Sequence, residues 1–161
     1  MTIKQYNNIR RRGFTIIELI TVVAIIAIVA AGSAVSFTSL IGRRLDADTR
    51  KAVNDFCWAR QMAVAGHLNY IIDFDLVNDG YTIYGDVNGN GIPEVTEEVQ
   101  ERRLVVDLVS VTDLLAVPIV PARITFNFPS GTAQDRLINF SYSGRTKQIQ
   151  VFADTGYVKI Q

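Results

Sequence analysis

Apolar positions fall into two regimes along the first third of the chain. From Phe14 to Ile41 the sequence reads FTIIELITVVAIIAIVAAGSAVSFTSLI, 28 positions with one charge, Glu18. As a helix this run would be about 42 Å long at about 1.5 Å per residue. A bilayer core is about 30 Å thick and takes roughly 20 apolar residues. The run therefore predicts a transmembrane helix over 14–41. From Leu45 the period changes. Leu45, Ala52, Val53, Phe56, Ala59, Ala63 and Val64 recur at helical spacing, and Asp46, Asp48, Arg50, Lys51, Asp55 and Arg60 fall largely elsewhere. Gly66 is the expected stop. One helix is expected from Phe14 to about Ala65, apolar all round at first and amphipathic later. Gly32 and Gly42 are points where it could bend. Cys57 and Trp58 sit in the amphipathic half, where a packed thiol and a core or interface filler are the expected roles.

Past Gly66 the texture becomes strand-like. Tyr70–Asp75 and Tyr81–Tyr84 flank Asn78-Asp79-Gly80, which predicts a hairpin. Further strands are expected at Arg103–Val109, Arg123–Phe128, Leu137–Tyr142, Gln148–Phe152 and Tyr157–Ile160, with turns at Ser143-Gly144 and Asp154-Thr155-Gly156. Pro118 and Pro121 mark a loop over 115–122. Short strands after a long helix predict an α+β fold, with an antiparallel sheet packed on the amphipathic half of the helix.

Charge sharpens this picture. The 161 residues hold 16 Lys+Arg and 16 Asp+Glu, but Lys4, Arg10, Arg11 and Arg12 precede the apolar run with no acid among them. Without residues 1–13, 12 bases face 16 acids, a net of −4. The basic start should keep the N-terminus cytoplasmic and place the bulk of the chain across the membrane. A secretory signal peptide is the competing reading, with Ala30-Ala31-Gly32-Ser33-Ala34 as its cleavage site. Against it, apolar residues continue through Val35, Phe37, Leu40 and Ile41, and a carboxylate sits near the start of the run. A charge deep in a bilayer costs about 2.5–3.5 kcal/mol even on lenient scales, so Glu18 calls for a cation or a function. Snorkelling beside Arg10–Arg12 is the plainer account of it.

Arg12-Gly13-Phe14-Thr15-Ile16-Ile17-Glu18-Leu19 resembles the type IV prepilin signature. The resemblance implies a cytoplasmic leader of residues 1–13, cut between Gly13 and Phe14 by a membrane prepilin peptidase that then methylates the Phe14 amine. Glu18 becomes the fifth residue of the mature chain. In a filament it would pair with the amine of a neighbouring subunit and set the axial stagger. The order of later segments is similar to the GspH/FimT branch of pilin-like proteins: ARQMAVAGHLNYIIDFD, GYTIYGDVNGNGIPEVTEE, ERRLVV, RITFNFPSG and a closing hairpin. That branch supplies minor pilins of type IV pili and pseudopilins of type II secretion. The resemblance further implies a single-pass protein of the bacterial inner membrane with a pilin-like domain outside the cytoplasm over 42–161. Its expected partners are the peptidase and other pilin-like subunits, with no small-molecule substrate.

One segment carries chemistry of its own. Asp86-Val87-Asn88-Gly89-Asn90-Gly91-Ile92-Pro93-Glu94-Val95-Thr96-Glu97 fits D-x-[DN]-x-[DN]-G-x₅-E. That spacing makes Asp86, Asn88, Asn90, the Ile92 carbonyl and Glu97 candidate calcium ligands, with Gly91 at the sharp turn. A preceding strand and Pro93 are foreign to an EF-hand, and Asn-Gly alone would make a hairpin tip. Beyond calcium no cofactor is indicated. Cys57 is the single cysteine and His67 the single histidine, which excludes an intrachain disulfide and a Cys-based zinc finger. No G-x-S-x-G, H-E-x-x-H, P-loop or G-x-G-x-x-G occurs, so an enzyme is not expected. Asp73, Asp75 and Asp79 are read as solvated hairpin carboxylates. Two further functions remain: a calcium-binding secreted module, and a DNA-binding minor pilin using Arg145, Lys147 and Lys159. Three cations in an acidic mature chain argue against nucleic acid.

Overall fold

The structure, a computed structural model, describes residues 14–161, with 32–41 described by backbone alone. It divides into two units, Met1–Thr38 and Ser39–Gln161. Helix α1 spans Ile16–Gly66, close to the expected limits. In the first unit every large apolar side chain from Phe14 to Ile28 is at least 46% exposed. No helix of the described residues is long and apolar enough to cross a membrane. The predicted span of 14–41 lies partly outside those residues, because it includes the side chains of 32–41.

In the second unit α1 presents the expected stripe. Leu45, Ala52, Phe56, Ala59 and Ala63 are buried and Val53 is half-buried. Thr49, which the apolar pattern omits, fills the place between Leu45 and Ala52; its hydroxyl donates to the Leu45 carbonyl at 2.6 Å, so no polar group is left bare. Val64, expected in the stripe, is instead 44% exposed. It follows Ala63 by about 100° around the helix and borders the turn at Gly131 rather than the core. The helix stops where His67 takes a left-handed conformation with φ of 57°. The His67 ring meets Phe128 edge-on at 4.8 Å.

Eight strands follow: β1 (Asn69–Asp75), β2 (Gly80–Asp86), β3 (Glu98–Arg103), β4 (Asp107–Thr112), β5 (Arg123–Phe126), β6 (Arg136–Tyr142), β7 (Arg145–Val151) and β8 (Val158–Ile160). They form two four-stranded sheets rather than one, ordered β3-β2-β1-β5 and β4-β6-β7-β8, and every pairing is antiparallel. Register follows the period of two. In the first sheet Ile72 faces both Ile83 and Ile124, and Phe74 faces Tyr81. In the second, Ile138 faces Ile149 and Val111. These side chains and the α1 stripe make one continuous core. Phe56 joins helix to first sheet, with its ring 5.8 Å from Phe74 and 5.4 Å from Tyr81.

The single strand expected at Arg103–Val109 is in fact two, broken at 104–106. Residues distant in sequence impose the break. The Asp79 carbonyl accepts the Leu104 N–H at 2.8 Å, and the Asp48 carboxylate of α1 accepts the N–H groups of Val105 at 2.7 Å and Val106 at 3.3 Å. Val106 is thereby driven into the core, fully buried. β3 crosses from the end of the first sheet, and β4 begins the second.

The closing turn is seated on the rest of the unit by close backbone approach. Gly156 has φ of 61°, and a Cβ there would overlap the Gly131 carbonyl oxygen. Arg60 of α1 donates from Nε to the Thr155 carbonyl at 2.7 Å. Helix, the turn between β5 and β6, and the turn between β7 and β8 therefore meet at one point.

Candidate functional site

Two places carry the candidate residues. The first is the start of α1. Gly13 and the arginines before it lie outside the described residues. Phe14 and Thr15 precede the helix, and Phe14 is 80% exposed. Thr15 is its N-cap: the hydroxyl oxygen accepts the Glu18 N–H at 3.3 Å, and its carbonyl accepts the Leu19 N–H at 3.2 Å. Thr15-x-x-Glu18 has the spacing of a capping box, a local signal that overlaps the prepilin signature. The Glu18 carbonyl accepts the Thr21 hydroxyl at 2.9 Å. Glu18 thus sits in the first turn, where a carboxylate faces the positive end of the helix dipole. Both the N–H and the carbonyl of the Glu18 backbone are engaged in hydrogen bonds at this turn.

The second place is the loop between β2 and β3. Asp86 closes β2, and Glu97 closes a single 3-10 turn, Val95–Glu97, that leads into β3. The structure brings all five predicted positions onto this loop. Asp86 and Glu97 are 2% and 8% exposed. Asp86 Oδ2 accepts the Gly91 N–H at 3.2 Å and Asn69 Nδ2 at 3.5 Å. Glu97 Oε1 accepts the N–H groups of Val87 at 3.0 Å and Asn88 at 3.1 Å. Asn88 Oδ1 accepts the Asn90 N–H at 2.9 Å, and Asn90 Oδ1 accepts the Ile92 N–H at 2.7 Å. Glu94, absent from the predicted set, accepts Nδ2 of both Asn88 at 3.1 Å and Asn90 at 2.8 Å. Its place nine positions into the loop could have identified it. Among the described residues, no three His, Cys, Asp or Glu side chains form a metal cluster.

The remaining candidates have structural partners. Asp73, expected in solvent, pairs with Arg123 across β1 and β5 at 2.7 Å and is only about one-third exposed. Asp75 does lie in solvent. It accepts N–H groups from Val77 and Asn78, each at 3.0 Å, and hydrogen bonds from Asn78 hold its carboxyl below the usual range. Asp79 Oδ1 accepts the Leu108 N–H at 2.9 Å. A catalytic pair is not assembled from these three. Lys147 pairs with Asp46, and Lys159 sits opposite Gln150 further along β7, so Arg145, Lys147 and Lys159 make no single basic cluster. Trp58 stands edge-on to Tyr70 at 6.0 Å and remains 36% exposed, at the rim of the core rather than inside it.

Cys57 is half-buried against the core, and burial pushes its thiol pKa up. The raised value favours the neutral thiol, so the reactive thiolate is scarcer at neutral pH than in an exposed cysteine. Labelling of the folded chain by a disulfide reagent at pH 7.5 should be at least several-fold slower than in denaturant. Its rate should still be rising with pH where that of the denatured chain has levelled off. Equal rates in both states would mean the thiol is open.

Residues 8–34 match the prokaryotic N-terminal methylation motif. Two solved structures share the fold. One is the type IV minor pilin FimU of Pseudomonas aeruginosa, 14% identical, with TM-score 0.54, covering 73% of this chain and 92% of that one. The other is the minor pseudopilin EpsH from the type 2 secretion system of Vibrio cholerae, 8% identical, with TM-score 0.55, covering 73% and 96%. By sequence alone, no protein of established function matches. The chain thus carries a prokaryotic N-terminal methylation motif at the head of a fold that it shares with a minor pilin and a minor pseudopilin. The order that the sequence implied, a long helix followed by antiparallel strands, is the fold shared with these structures.

Proposed function

We propose that this chain is a minor structural subunit of an envelope filament, either the pseudopilus of a type II secretion system or a type IV pilus. The observation that carries the reading is the methylation motif over residues 8–34, which runs into a helix whose large apolar side chains from Ile16 to Val29 are all exposed. Such a surface needs lipid or other apolar helices around it. In this reading the prepilin peptidase removes residues 1–13 and methylates Phe14. The apolar run holds the chain in the inner membrane until assembly, with the pilin-like unit outside the cytoplasm. Glu18 receives the Phe14 amine of a neighbouring subunit, a charge pair whose low-dielectric setting makes loss of either partner costly. The pairing of Lys147 with Asp46 removes one of the three cations a DNA-binding reading would use.

The test is the N-terminus and intact mass of the membrane-fraction protein, made with and without a prepilin peptidase. A chain that begins at Phe14 and carries one methyl group, seen only with the peptidase, is the expected result. A soluble chain beginning near Ala34 would replace this reading with the secreted module.

A further inference from the structure

We propose that the loop from Asp86 to Glu97 is a calcium site that ties the end of β2 to the start of β3. The loop is built inside out. Its apolar residues face water, with Val87 69% exposed, Ile92 56% and Val95 87%, while its buried side chains are the carboxylates of Asp86 and Glu97. Burial of carboxylates is unfavourable unless a counter-charge or a full set of hydrogen bonds offsets it. Neither condition is met here. One oxygen of each group, Asp86 Oδ1 and Glu97 Oε2, is buried without a hydrogen-bond partner. Among the described residues, no ion pair involves Asp86, Glu94 or Glu97.

The two carboxylates are tied to the backbone of the same loop. Asp86 turns inward to Gly91, and Glu97 reaches back to the N–H groups of Val87 and Asn88 beside Asp86. Two unmet, negatively charged oxygens in one loop are what a divalent cation satisfies. The other donors are all oxygen, which selects a hard cation. Glu94 holds both Asn side-chain amides by their NH₂ groups, which fixes the amide oxygens toward the loop backbone. Gly91, with φ of 69°, makes the turn that brings the Ile92 carbonyl round. Asp86, Asn88, Asn90, the Ile92 carbonyl and Glu97, the last through both of its oxygens, offer the six oxygens that calcium takes at least, and magnesium demands a near-ideal octahedron at shorter distances.

The full chain in detergent, stripped with chelator, is titrated with calcium chloride, and binding is read by calorimetry and by thermal unfolding. One calcium per chain is expected, half-saturating at about 0.1–1 mM, as in extracellular modules. Magnesium should bind at least tenfold more weakly. Glu97→Gln and Asp86→Asn keep shape and hydrogen bonding while removing charge, and each should weaken calcium binding at least tenfold. Their folding is checked by circular dichroism in chelator. Hydrogen exchange on the unaltered chain gives a readout independent of any variant. Calcium should slow exchange of the amides of 86–97 at least tenfold and leave those of β6 and β7 unchanged. No calcium-dependent change in the unaltered chain up to about 10 mM would overturn the proposal. So would binding that Glu97→Gln leaves intact, or protection appearing only elsewhere.

Discussion

Replacing Gly156 by alanine should cost the folded unit about 3–4 kcal/mol, a fall in Tm of about 10 °C or more. Two penalties combine. A left-handed residue with a Cβ costs about 1–2 kcal/mol. At Gly156 that Cβ would also run into the Gly131 carbonyl oxygen and come within 3.1 Å of Arg60 Cδ. The carbonyl belongs to a turn pinned by its own hydrogen bond, from Gly131 N–H to the Asn127 carbonyl at 2.7 Å, so it cannot give way cheaply. Forcing it adds about 1–3 kcal/mol, as overpacking does elsewhere. Gly144 provides the control. Its φ is 80°, yet nothing lies within 4 Å of a Cβ built there, so Gly144→Ala should cost only about 1–2 kcal/mol. Equal losses in the two variants, measured by thermal unfolding, would show that conformation alone matters and the contact does not.

Asp55→Ala should cost about 2–3 kcal/mol, most of it through Tyr81. Asp55 Oδ2 accepts the Tyr81 hydroxyl at 2.8 Å and Arg102 Nε at 2.7 Å. Tyr81 is 1% exposed, so without Asp55 its hydroxyl is buried and unpaired, at about 1–3 kcal/mol. Arg102 is 29% exposed along its side chain and can turn to water, which discounts the ion-pair contribution. Tyr81→Phe removes the donor without stranding anything and should cost about 1 kcal/mol. The double variant should be less destabilised than the sum of the two, since the hydroxyl is then lost only once. Alkaline pH provides a second measurement. Burial, then the Asp55 charge, push the Tyr81 pKa well above its ordinary 10.0. The folded chain keeps a proton that the unfolded chain releases above about pH 10, so this contribution is intact below pH 10 and declines above it. Tyr81→Phe should flatten that alkaline decline. An unchanged alkaline limb would assign the loss to other groups.

What was legible in the sequence was periodic or local. The α1 stripe repeats at helical spacing and ends beside a glycine, and β1, β2, β5, β6, β7 and β8 combine alternation with turn residues at their ends. The prepilin signature is a contiguous motif. What was not legible depends on partners far apart in sequence. Asp48 breaks the chain at Val105, 57 residues away, and nothing in either neighbourhood announces it. Asp55, Tyr81 and Arg102 come from three elements. Asp73 looks like a solvent carboxylate until β5 brings Arg123 beside it. Val64 is expected in the stripe, but it lies about 100° around the helix from Ala63 and borders the turn at Gly131.

β3 escaped the pattern of alternation for a reason that bears on its place at the edge of a sheet. Its sequence, EVQERR, has no apolar alternation, and it pairs with β2 alone, leaving its outer edge open. An open edge is a template on which another chain can add a strand. Here, adding one would strip water from Glu98, Glu101 and Arg103, and the register shift against Ile83 and Tyr84 distorts the edge besides. The opposite end of the second sheet, β8, is only three residues long and offers little to extend. Edge-to-edge pairing with another chain is thereby disfavoured at both of these strands.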